Sequence, residues 1–164
     1  MNKSEQRLID LVIGNGMLVL LVGLLAGVML IFSLLGSVTL WPLPAWDVQV
    51  PGSVRGWSAA HVGGILNGVM IAGVALLMRH LALTGRTALW VGWGMIYTGW
   101  ANTVFYWAGN VAGNRGLSMI DTPYGSADLA GALAFIGGGS GMFFTVIAVV
   151  LLARAALSGR GRAA

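Results

Sequence analysis

The chain has 164 residues, 57% of them hydrophobic and only 9% charged, where a soluble domain carries about 25% charged residues. With a mean hydropathy of +0.85, that composition excludes an ordinary soluble globule and points to a membrane protein. The absence of cysteine excludes disulfides, thiolate metal sites, iron–sulfur clusters and covalent CxxCH haem attachment. The net charge of +4 does not imply a nucleic-acid partner, because most basic residues sit at segment ends, where membrane orientation accounts for them.

Residues 1–7 are polar and basic. An apolar run of about 8–36 follows, with Asp10 and Asn15 near its start, long enough to cross a bilayer core of about 30 Å with some tilt. No A-x-A-like site closes it, so no cleavable signal peptide is expected. Residues 36–55 read as a loop punctuated by Pro42, Pro44, Pro51 and Gly52. A second helix is predicted over about 57–83, with Ser58 a candidate N-cap. A tight turn at Gly85-Arg86 leads to a third helix over about 87–109. A polar loop with Asn114, Arg115, Gly116, Pro123 and Gly125 precedes a fourth over about 128–157. The predicted fold class is therefore all-α, an integral membrane four-helix bundle forming one transmembrane domain over 1–164. Lys3, Arg7, Arg79, Arg86, Arg154, Arg160 and Arg162 flank one side, and only Arg55 and Arg115 the other. By the positive-inside rule both termini are cytoplasmic, as expected of a multi-pass protein of a bacterial-type inner membrane.

The chemistry centres on residues 56–70, an apolar stretch interrupted by His61 and Asn67. Such groups are costly in hydrocarbon unless satisfied or functional. His61 has two readings: a packing residue hydrogen-bonded to a neighbouring helix, or an axial ligand to haem iron. One histidine per chain inside the membrane disfavours a two-histidine electron-transfer haem. It leaves the other iron face open for binding or Lewis-acid chemistry. His80, beside Arg79, reads as an interfacial residue.

In the third helix Thr98, Asn102, Tyr106 and Asn110 recur every four residues, which makes one gently drifting polar stripe. Lipid does not accept such a stripe, so it is expected to face the interior, either for interhelical hydrogen bonding or to orient a ligand. Asn67 lies roughly 15 Å and Asn102 roughly 12 Å from the same membrane face at 1.5 Å per residue, so they can meet. His61 and Asn67, six residues apart, point about 120° away from each other on a regular helix. Either the helix bends near Gly63-Gly64, or the two serve different copies of the site in an oligomer. Gly137 and Gly141 stand in GxxxG spacing, read as close helix packing. Trp100 and Trp107 can belong to an interfacial belt or wall a pocket. Arg115 can pair with an anionic group such as a haem propionate, with Asp121 or Asp128, or with solvent.

These residues carry a resemblance to the styrene oxide isomerase family. The matching pieces are Val50-Pro51-Gly52-Ser53, Gly56-Trp57, Ala60-His61, Leu66-Asn67-Gly68, Gly99-Trp100-Ala101-Asn102, Phe105-Tyr106, Asn114-Arg115-Gly116-Leu117, and Gly125 with Asp128. They fall in one order with nearly ungapped spacing; the first and fourth helices match in character alone. The resemblance implies an isomerase that turns aryl epoxides such as styrene oxide into aryl acetaldehydes without net redox change. It implies a ferric b-type haem between subunits of a homotrimer, His61 as metal ligand, and Asn67 and Tyr106 as catalytic residues that place the epoxide. Asn102 and Trp100 join Asn67 and Tyr106 as expected substrate contacts, and Arg115 joins His61 as a cofactor contact. Membrane lipid is an expected partner, and a styrene monooxygenase is the candidate upstream enzyme. One family member carries an aspartate where this chain has Thr98, so an essential acid there is not expected. A haem-based sensor or electron carrier, and more distantly a small multidrug-type transporter, are the competing classes. A transporter usually needs an intramembrane carboxylate, and here only Asp10 and Asp128 come near, at segment ends.

Overall fold

The computed structural model describes residues 2–158, so Arg160 and Arg162 of the charge count lie outside the described residues. The chain is four long helices: α1 (Lys3–Leu35), α2 (Val54–His80), α3 (Gly85–Val111) and α4 (Leu129–Leu157). A two-residue pair of strands, β1 (Ser37–Val38) and β2 (Trp46–Asp47), ties the α1–α2 loop antiparallel, with Ser37 opposite Asp47. One end of the molecule therefore carries both long loops, and the other carries the chain start and the short α2–α3 turn. These are the loop end and the turn end.

Local chemistry sets each boundary. Asn2 and Glu5 form a reciprocal capping box that starts α1 earlier than the apolar run implies. Gly36, at φ 65°, ends it in the left-handed region that glycine tolerates. α2 starts at Val54 because the Ser53 hydroxyl, not that of Ser58, accepts the Gly56 N–H at 3.0 Å. Its last helical residue is His80, and the turn through Leu81–Thr84 precedes Gly85 rather than following it. Asp128 caps α4 through the Gly131 N–H at 2.6 Å.

α1 packs chiefly on α2 and α4 on α3, while α2 and α3 meet along the middle and α1 also reaches α3. Glycine makes two of these contacts. A side chain on Gly23 would stand 2.6 Å from the Ile65 nitrogen, one on Gly64 2.5 Å from the Gly23 Cα, and one on Gly68 2.7 Å from the Gly16 oxygen. The α1–α2 backbones therefore touch directly, as small residues allow. On the other side a side chain at Gly137 would reach within 2.7 Å of the Ala101 oxygen, so the glycine spacing of α4 does serve close packing on α3. An apolar cluster around Ile9, Val12, Ile71, Met78, Val91 and Met95 fills the turn end. A smaller one of Ala26, Trp57 and Ala60 lies toward the loop end.

The outer faces are apolar. Leu18, Leu21, Leu25 and Ile31 of α1 and Ile136, Met142, Phe143 and Val146 of α4 are all exposed. A belt of this extent marks a surface made for lipid rather than water. α1, α2 and α4 are long and apolar enough to cross a membrane. α3 has 27 residues but is not among them, because its tryptophans, tyrosines and asparagines lower its mean hydropathy.

Gly23→Val is expected to force α1 and α2 apart and to cost about 3 kcal/mol or more, the upper range for overpacking. Gly73→Ala, where nothing lies within 4 Å of the added carbon, is expected to be neutral or mildly stabilising. Unfolding of the detergent-solubilised protein, followed by circular dichroism, checks both.

Candidate active site

His61 sits half-buried on the flank of α2 that faces α1. Its Nδ1 lies 2.9 Å from the Gly23 carbonyl oxygen. A carbonyl only accepts, so Nδ1 carries a proton, and the neutral form of the ring keeps its lone pair on Nε2. That carbonyl is reachable because Gly27, one turn on, has no side chain: a carbon there would stand 2.6 Å from His61 Nδ1. A ring tied through one nitrogen to a backbone carbonyl, with the other nitrogen free, is the arrangement of a metal-ligating imidazole.

The opposite flank of α2 holds the second group. Asn67 is 8% exposed; its Nδ2 donates to the Gly63 carbonyl at 2.8 Å, and its Oδ1 accepts from Asn102 Nδ2 at 2.9 Å. The Tyr106 ring lies against the Cα of Gly63, in space that any side chain there would fill. The Tyr106 hydroxyl makes no hydrogen bond within the protein among the described residues. Asn67, Asn102 and Tyr106 thus meet around Gly63, as their depths predict. α2 runs unbroken past Gly63-Gly64, and His61 faces α1 while Asn67 faces α3. Within one chain they do not address the same spot.

All four members of the α3 stripe face inward. Thr98 is fully buried and donates to the Gly141 carbonyl of α4 at 3.2 Å. Asn110 accepts from the Ser53 N–H at 2.8 Å, and its buried Nδ2 has no protein partner. Trp100 departs from the expectation of a substrate contact: its indole N–H donates to Asn15 of α1 at 2.9 Å, on the other side of α3 from Asn102 and Tyr106. Trp107 packs edge-on against Trp57, with ring centroids 5.1 Å apart.

A cavity of about 720 Å³ opens at the loop end, bordered by Tyr106, Asn110, Ser53, Arg55 and Arg115. Arg115 does not pair with Asp121 or Asp128; its guanidinium stacks over the Tyr124 ring at 4.9 Å. Its backbone has φ 62°, an uncommon conformation for a non-glycine residue. The loop holds it there. Buried Asn114 donates to the carbonyls of Ser118 at 2.8 Å and Ile120 at 3.2 Å, and accepts from the Gly116 N–H. Asp128 anchors the same loop, and the N–H groups of Gly113 and then Gly131 hold its carboxyl below the usual carboxylate range. Asp10 accepts from Gln6 and lies 3.7 Å from Arg79. Neither carboxylate lies in the interior as proton coupling would need.

Gly27, and the roles of Arg55 and Gly63, are the parts of this geometry that the sequence did not reveal. No local pattern marks them, since each matters through a helix far away in the chain. The glycine spacing Gly64-x-x-x-Gly68 was a usable hint to the α1–α2 contact.

Geometry and composition together define a helical membrane protein with one imidazole prepared on α2 and an amide–phenol pair on its other flank. The model of the styrene oxide isomerase family matches residues 8–157. A styrene-oxide isomerase of Pseudomonas fluorescens is 36% identical over 121 residues, covering 74% of this chain and 72% of that protein. The chain belongs to the styrene oxide isomerase family.

Two predictions follow from the loop. Asn114→Ala leaves two loop carbonyls without their donor and is expected to cost about 1–3 kcal/mol, read as a lower unfolding temperature and faster proteolysis within 112–128. Because the Asp128 pKa is lowered in the folded state, its contribution is complete above the unfolded carboxylate value of about 3.9 and is lost as pH falls through the folded value. The stability of wild type is expected to fall more steeply than that of Asp128→Asn below about pH 4, in parallel pH titrations of thermal unfolding.

Proposed function

We propose that this protein is a membrane-embedded isomerase converting aryl epoxides, styrene oxide among them, to aryl acetaldehydes, with a ferric b-type haem held by His61. The observation that carries the reading is the His61–Gly23 hydrogen bond beside the side-chain-free Gly27, in a chain of this family. No group of three or more His, Asp or Glu able to hold a metal ion exists among the described residues. The donor set therefore suits a porphyrin, which brings four nitrogens and needs one imidazole. Arg115, with Arg55 across the cavity, supplies the positive charge that suits a propionate.

When bound, the ferric haem supplies a Lewis acid for the epoxide oxygen. The chain's residues govern the rest. The Tyr106 hydroxyl and the second N–H of Asn67, neither committed among the described residues, hold and orient the epoxide. The carbon–oxygen bond breaks at the aryl-bearing carbon, where the ring stabilises positive charge. Hydride moves to that carbon from its neighbour, and the carbon–oxygen double bond forms there. Every atom is retained and no oxidant or reductant is needed. Water would divert the cation to a diol, so the reaction needs it excluded while the bond is open.

His61 and the Asn67–Tyr106 pair lie on different flanks of α2, so a complete site takes its imidazole from one chain and its amide and phenol from another. A homotrimer closes such a head-to-tail contact into a ring. We place the protein in the inner membrane, with α3 as the fourth crossing, lipid around the belt and both termini cytoplasmic. A styrene monooxygenase is the fitting upstream enzyme.

Purified protein is expected to show a Soret band that His61→Ala abolishes. The ferric enzyme is expected to form phenylacetaldehyde from styrene oxide without oxygen, and His61→Ala to lose about a hundredfold or more in rate. Protein that stays colourless after haem is added would sink the proposal. Gas binding or electron transfer without isomerisation would assign a sensor or carrier instead.

A further inference from the structure

We propose that Asn102 is a positioning residue for Asn67 rather than a contact of the substrate. This rests on the reading of Asn67 as a group that holds the epoxide.

One atom here has a role beyond choice. The Gly63 carbonyl oxygen can only accept, so the Asn67 side-chain atom 2.8 Å from it is the nitrogen. The Asn67 oxygen then faces α3, and only a donor can satisfy it; Asn102 Nδ2 does so at 2.9 Å. That choice turns Asn102 Oδ1 toward α4. There Gly141 leaves room for it, since a side chain on Gly141 would stand 2.8 Å from that oxygen. Gly141 is itself held, its carbonyl accepting from Thr145 Oγ1 at 2.8 Å and Thr98 Oγ1 at 3.2 Å. The polarity of each amide is thus set by its neighbour, from the Gly63 carbonyl on α2 through Asn67 to Asn102 on α3, whose oxygen sits in the space that Gly141 of α4 leaves.

The consequence falls on the last proton in the line. Asn67 spends one N–H on Gly63 and its oxygen on Asn102, which leaves one N–H without a partner among the described residues, in a side chain only 8% exposed. The Tyr106 ring lies against Gly63, one helical turn from Asn67. Asn102 has no N–H bond to any other protein group among the described residues, so its donor serves this purpose alone. Without it, the buried Asn67 oxygen loses its donor, and the Gly63 bond alone is left to hold the free N–H on the epoxide oxygen. The side chain at 102 also departs from the substrate-facing role expected of it, because its nitrogen is turned to Asn67 and its oxygen to α4.

The test compares Asn102→Leu and Asn102→Asp in the haem-loaded enzyme with styrene oxide as substrate. Asn102→Leu is expected to lower kcat about tenfold or more, while the Soret position and haem content keep their wild-type values, because His61 lies on the other flank of α2. The aspartate has the same shape and donates an O–H to Asn67 when neutral but not when ionised. Asn102→Asp is therefore expected to retain turnover wherever its carboxyl is protonated and to lose it as pH rises through its pKa, a dependence that wild type and Asn102→Leu lack. Asn102→Leu turning over like wild type would overturn the inference. So would an Asn102→Asp enzyme as slow as Asn102→Leu at every pH, a comparison that stands even if the leucine variant folds poorly. Wild type that binds haem yet leaves styrene oxide unchanged would instead overturn the function proposed for the site.

Discussion

The contact on which most else depends is the meeting of two backbones, Gly23 of α1 against Gly64 of α2. Lipid offers no hydrophobic gain for driving two helices together, so close packing and hydrogen bonding must do it. Bare glycine faces let the helix axes approach until the Gly23 carbonyl comes within reach of His61. One contact therefore sets both the spacing of the helices and the tautomer of the imidazole. The same glycines that bring the pair together leave Nε2 as the ring nitrogen turned away from that bond.

Polar groups in the interior are arranged in closed accounts with few exceptions. Thr98, Thr145 and Gly141 satisfy one another between α3 and α4. Among the described residues, the groups left over include His61 Nε2, one N–H of Asn67, the Asn102 oxygen, the Tyr106 hydroxyl and the buried Asn110 Nδ2, all in the loop-end half of α2 and α3. A buried unpaired donor is expensive in a low-dielectric medium. Their concentration in one region, not their number, is what distinguishes a site from a packing defect.

The sequence made the architecture legible because long apolar runs separated by Pro- and Gly-rich loops admit few folds. The inward stripe of α3 was equally legible, since a period of four is visible without a neighbour. Boundaries shifted wherever a cap lay outside the apolar run, as with Asn2 and Glu5 ahead of Leu8 and Ser53 ahead of Trp57. The separation of His61 from Asn67 followed from helical pitch, and α2 proved to be unbroken between them. What could not be read was the identity of partners distant in sequence. Trp100 and Asn102 look alike as candidates two residues apart, yet one faces α1 and the other α2 and α4. Nothing local tells that a carbonyl 38 residues away fixes the histidine.

The two-sidedness of α2 has a genetic meaning. If imidazole and amide come from different chains in the proposed ring, a chain lacking His61 and a chain lacking Asn67 are each inert alone. Co-assembled, they regenerate intact centres wherever a sound imidazole from one meets a sound amide from the other. Defects on opposite flanks of this helix would then complement one another, while two defects on the same flank never would.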